Sequence, residues 1–148
     1  MMKTLSSRLL RATSAAFLLA LLPACKPSTN ATNDATKIDF VTDVRPILES
    51  RCVNCHHAGA LLGNLNLQSR AQAFADRPGG PVILPGEVEK SRLYQVLLLP
   101  VEDQKAMPPE SHRLPVAELA ILKRWISEGA EWPEGADGQV KVLPPLRN

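Results

Sequence analysis

Arg51-Cys52-Val53-Asn54-Cys55-His56 is the stretch on which the reading turns. Two thiols three residues apart, followed directly by an imidazole, have the spacing of covalent haem c attachment. The chemistry accounts for the spacing. The thiols add to two vinyl groups on one edge of a porphyrin, and the intervening pair of residues sets the distance between them. The adjacent His is then held beneath the ring, where it reaches iron. Three alternatives use the same residues. A redox dithiol sits at a βαβ junction, and almost no β pattern is visible here. A zinc site could join Cys52 and Cys55 to His57 and His112, but structural zinc motifs usually bring a second close-spaced ligand pair. A structural disulfide has no use for the His. The expectation is one covalent haem on Cys52 and Cys55, with His56 as an iron ligand.

Outward from this stretch, helical spacing dominates. Phe40, Val44, Ile47 and Leu48 share one face and predict a first helix over 39–50. Pro46 suits the first position of a helix better than its interior, so a short turn is expected before it. Residues 58–68 read as a loop with an apolar alternation at Leu65 and Leu67. Ser69 is placed to cap a short helix through Phe74. The run 77–86 holds too many prolines and glycines for a long regular element. A helix follows over 91–98, then a second irregular stretch over 100–115. The clearest helix spans 116–128, with Leu119, Leu122, Trp125 and Ile126 as its stripe and Gly129 where a cap belongs. The last fifteen residues, 134–148, read as a loose tail.

The sixth iron ligand must come from elsewhere. Met107 is the only Met beyond the first two residues, and two prolines follow it in a loop. A thioether opposite a His raises the reduction potential, because soft sulfur suits reduced iron. A lone Met is otherwise core filler. His112 is the competing ligand. His57 adjoins the proximal His and cannot easily reach the far face, so an exposed or propionate-side place suits it better.

The N-terminus reads as an address. Lys3, Arg8 and Arg11 precede a short apolar run over 15–22, the pattern of a secretory signal over 1–24. The run is too short for the ~20 apolar residues of a membrane span. Leu22-Pro23-Ala24-Cys25 resembles the lipobox of bacterial lipoproteins, which implies acylation of Cys25 and anchoring to a membrane through more than one chain. Lys26 in place of Asp leans toward the outer membrane. The alternative is an ordinary signal that leaves Cys25 as a free thiol. Residues 25–36 would be the lipidated Cys and a flexible polar linker. Without the three signal cations the chain has 14 Lys+Arg against 15 Asp+Glu. No clustered basic face suggests nucleic acid. With 13 Pro, 8 Gly and 4% aromatics, a single modest core is expected, of the kind that needs a staple.

A family resemblance joins these segments. Phe40 to Leu48 with Cys52-Val53-Asn54-Cys55-His56, then Leu84-Pro85-Gly86, Ser91-Arg92-Leu93, Met107-Pro108-Pro109 and Leu122 to Ala130 together resemble the cytochrome c domain of planctomycetes and their relatives. The resemblance implies an all-α, class I cytochrome c-like domain over 37–133, wrapped around one haem c with His56 and Met107 as axial ligands. It also implies that the first and last helices pack together, Phe40 and Val44 against Trp125. Saturated iron points to one-electron transfer rather than enzymatic turnover. The chain would then be a tethered carrier, or a redox subunit of an exported oxidoreductase, on the periplasmic side of a membrane. The alternative function is a haem-based sensor in which the sixth ligand gives way to a gas.

Overall fold

The computed structural model describes residues 36–109 and 112–144. The signal reading of 1–24, Cys25, the linker up to residue 35 and the end of the tail lie outside the described residues. Among the described residues no helix is long and apolar enough to cross a membrane.

Asp39 opens the first helical segment, its carboxylate accepting from the Thr42 amide at 2.8 Å. A wide π turn over Phe40–Val44 leads without a break into α1, Arg45–Arg51. Pro46 sits in the first turn of α1, where its missing N–H costs little, as its place in the sequence predicts. Immediately after the Cys-x-x-Cys-His turn come two short antiparallel strands, β1 (His56–His57) and β2 (Ala60–Leu61), with His56 opposite Leu61. The architecture is therefore mostly helical with a two-strand sheet, which qualifies the all-α expectation.

Helix α2 is short, Arg70–Ala73. Ser69 holds its N-cap position, but the hydroxyl donates to the Gln72 side chain at 3.1 Å instead of capping a backbone amide. Helix α3, Arg92–Leu98, follows Ser91, which is fully buried. The Ser91 hydroxyl accepts from the Leu84 amide at 2.9 Å and donates to the Leu84 carbonyl at 3.2 Å. That pair fastens the Pro/Gly-rich run 77–86 to the start of α3.

Helix α4, Val116–Ser127, buries Leu122, Trp125 and Ile126. It ends at Gly129, whose φ of +104° is a left-handed conformation that glycine adopts without a Cβ penalty. Phe40 meets Trp125 at a centroid distance of 6.1 Å, so the first and last helical segments do pack. Trp132 extends this cluster by stacking on Phe40 at 4.5 Å.

Part of the stretch after Glu134, expected as a loose tail, packs: Gly138 and Val140 are buried, while residues 141–144 are exposed. A 3-10 turn over Gly135–Gly138 presents the Gly138 carbonyl to the Trp132 indole N–H at 2.8 Å. A Cβ at Gly138 would lie 1.8 Å from the Pro133 carbonyl oxygen, so only glycine fits there. Val140 is buried, and its amide donates to the Gln68 carbonyl at 2.9 Å. Tryptophan supplies the reason: a large apolar ring with one donor draws in the chain that can cover and satisfy it.

Glu128, at the end of α4, accepts from the Ile38 amide at 2.7 Å and from Arg124. The Ile38 bond first, helped by Arg124, holds its carboxyl below the ordinary glutamate range. A depressed folded pKa gives stability that is present above the unfolded value, about 4.3, and lost as pH falls through the folded one. Urea midpoints should therefore drop as pH is lowered below about 4, and Glu128→Gln should flatten that drop. Equal acid slopes in the two proteins would show that the Glu128 carboxylate contributes nothing to it.

Candidate functional site

The end of α1 shapes the motif. The amides of Cys52 and Val53 both donate to the Leu48 carbonyl, so the helix tightens as it closes. Cys55 then donates to the Cys52 carbonyl, and His56 to those of Cys52 and Val53, at 3.1–3.2 Å. Residues 52–56 thus make one helical-type turn, and i, i+3 and i+4 spacing puts Cys52, Cys55 and His56 on one side of it. Arg51 anchors the turn to α4 through two bonds to the Glu118 carboxylate, at 3.1 and 3.3 Å.

Both cysteines are free thiols, with Cys52 buried and Cys55 exposed. Burial, with a smaller contribution from Glu118, pushes the Cys52 thiol up to about 12. His56 is half-buried, and burial lowers its pKa, which favours the neutral ring. Its Nδ1 lies 2.9 Å from the Leu62 carbonyl. A carbonyl only accepts, so Nδ1 carries the proton and Nε2 keeps its lone pair for a metal. The Leu67 amide on the His56 carbonyl, at 2.9 Å, holds the backbone from the other side.

Cys52, Cys55 and His56 line a cavity of about 380 Å³, and Met107 lines it too. Its remaining walls are largely aliphatic, among them Leu65, Leu67, Val82, Leu93 and Leu97. Met107 is placed by the backbone around it. Its amide donates to the Val96 carbonyl at 3.0 Å. The Arg113 guanidinium donates to the carbonyls of Met107 at 3.3 Å, Leu97 at 3.2 Å and Leu99 at 2.8 Å. One fork of donors therefore ties the Met107 loop to the end of α3. Nothing in the sequence marks this role, because an arginine in a Pro-rich loop has no spacing that announces three carbonyl partners.

The other two histidines stand apart. His57 accepts from the Gly59 amide through Nδ1 at 3.1 Å, and it is not among the cavity residues. His112 is exposed and also lies outside the cavity wall; its amide donates to the Pro109 carbonyl at 2.8 Å. Among the described residues no three of His, Cys, Asp and Glu converge as a metal-binding group. The zinc alternative would require such a group.

A soft sulfur, a neutral imidazole and two thiols around an aliphatic cavity fit a haem c. Cys52 and Cys55 would hold such a group through thioethers, and His56 and Met107 would offer nitrogen and sulfur to its iron.

Comparison with known proteins bears on the same residues. Residues 52–111 match a family model described as planctomycete cytochrome C. No curated protein matches the chain. Among solved structures, a chain of Kuenenia stuttgartiensis hydrazine synthase is similar at 18% identity with a TM-score of 0.46. That match covers 64% of this chain and 16% of the other.

Proposed function

We propose that this chain, which carries a planctomycete cytochrome C segment over residues 52–111, transfers single electrons through one covalently held haem c, as a tethered carrier or as a redox subunit of an exported oxidoreductase. The observation that carries the proposal is the shared cavity: Cys52, Cys55, His56 and Met107 all line it. A cytochrome c family implies covalent haem, and haem c would supply a one-electron iron couple.

The chain's own residues do the rest. Cys52 and Cys55 would hold the group by two thioethers, so that it could not leave with a change of redox state. His56 offers Nε2 because the Leu62 carbonyl holds the proton on Nδ1. Met107 offers a thioether, which favours the reduced state. The aliphatic part of the wall, Leu65, Leu67, Val82, Leu93 and Leu97, lowers the local dielectric, which bears on the potential. With His56 and Met107 both offered to the iron, the group would be suited to electron transfer rather than to holding a substrate. The test is an absorption spectrum of the protein matured in a haem-attaching host, oxidised and reduced. A Soret band with sharpened visible bands on reduction supports the reading, and a protein without Soret absorption would end it.

The place of work is part of the proposal. The basic and apolar run over 1–22, followed by Leu22-Pro23-Ala24-Cys25, supports export and acylation of Cys25 on the periplasmic side of a membrane, the outer one by the lack of Asp after the Cys. Mass spectrometry of the mature N-terminus should find an acylated Cys25. A mature soluble protein with an unmodified thiol there would contradict it.

A further inference from the structure

The cavity wall is charged with one sign. Arg51, Arg77, Arg92 and Lys105 line it, and among the described residues no carboxylate does. Arg51 is answered by Glu118 from α4. Arg77 and Arg92 are not: among the described residues neither has a carboxylate within 4 Å. Both line the one cavity, and burial first, then the charge of Arg92, lowers the pKa of Arg77. The turn that bears Arg77 runs against Arg92, for a Cβ added at Gly79 would meet the Arg92 guanidinium at 3.9 Å.

Neither segment is free to part from the other. Arg77 donates to the Gly63 carbonyl, the Leu93 amide donates to the Val82 carbonyl at 2.9 Å, and Ser91 grips Leu84. The fold therefore holds two like charges together at an otherwise aliphatic cavity. Like charges held close are unfavourable unless an anion lies between them. A guanidinium is the side chain shaped for a carboxylate, through two parallel N–H···O bonds. Lysine would supply charge without that fork.

We infer that Arg77 and Arg92 form a carboxylate-binding rim that holds the two propionates of the haem. The inference rests on the haem reading given above. It adds a second fixed edge to the group: thioethers from Cys52 and Cys55 hold the vinyl edge, and the two guanidiniums hold the acidic one. It also gives the pair a redox effect, because positive charge beside the propionates disfavours the ferric state.

The test compares Arg77→Gln, Arg92→Gln and Arg92→Lys with the parent protein by resonance Raman spectroscopy and redox titration. Both Gln variants should retain full covalent haem, shift the propionate bending band and lower the midpoint potential. Arg92→Lys should recover the potential but leave the band shifted, since charge returns without the fork. Among the described residues Arg92 makes no side-chain hydrogen bond, so Arg92→Gln reports even if Arg77→Gln disturbs the Gly63 loop and fails to mature. A parent protein without haem would refute the haem reading itself. A full haem complement with the propionate band unmoved in the Gln variants would overturn this inference alone and assign the two cations to a carboxylate from outside the chain.

Discussion

With Cys52→Ala and Cys55→Ala combined, the purified protein should retain no haem through acid acetone extraction, whereas the parent chain retains all of it. The expected loss is complete because the tether is covalent and both of its atoms are gone; axial bonds from a His and a Met do not survive acid. The single variants should differ from each other in a way that follows from their surroundings. Cys52 is buried at the end of α1, with its thiol pushed up to about 12, so at neutral pH it stays protonated. Cys55 is exposed. In haem-free protein an alkylating reagent should therefore modify Cys55 first and Cys52 only on unfolding. Cys55→Ala removes little packing, while Cys52→Ala also empties a buried site, so the second should cost more stability by urea titration. Free extraction of haem from the parent protein would contradict the covalent site at its root.

What the sequence made legible follows from how local each signal is. The turn 52–56 was readable because its chemistry needs three side chains within one turn, a spacing that survives any surroundings. Helix α4 was readable because Leu122, Trp125 and Ile126 repeat at the helical period and Gly129 closes the run. Gly129 also shows where a residue type carries its own reason, since its φ of +104° suits no other side chain as well. The packed end of the chain was not readable. Val140 is held in the core by the Gly135–Gly138 turn over Trp132 and by its own bond to the Gln68 carbonyl, and a polar, Gly-rich run bears no periodic mark of either. Ser69 does stand at the N-cap of a short helix that ends at Phe74, but its hydroxyl bonds the Gln72 side chain rather than a backbone amide, a choice between local partners that spacing does not reveal. The short strands β1 and β2 fall below any alternation a sequence can show. At the site, the cysteines, His56 and Met107 were named from sequence. Arg113 and the Leu62 carbonyl were not, because each acts through backbone groups brought together only by the fold.

Met107→Ala should open the sixth position. The ferric protein should lose the weak far-red band of a His/Met pair, the ferrous protein should bind carbon monoxide, and the midpoint potential should fall. The direction follows from sulfur being the softer ligand, which stabilises reduced iron. The size should be a substantial part of the roughly 0.8 V over which axial ligands set haem potentials. His112→Ala should change none of these, because His112 is exposed and stands outside the cavity wall that Met107 lines. Arg113→Ala provides a graded third point. It removes three donors from the carbonyls of Leu97, Leu99 and Met107 but leaves the thioether in place, with the Met107 amide still on Val96. The far-red band should then weaken on warming at a lower temperature than in the parent, and carbon monoxide should bind partially. A protein that binds the gas readily without any substitution would instead be the sensor, with Met107 as its displaceable ligand. The reverse pattern, with His112→Ala opening the site and Met107→Ala leaving the spectrum intact, would move the ligation to two histidines and the expected potential downward, since a second imidazole favours ferric iron more than a thioether does.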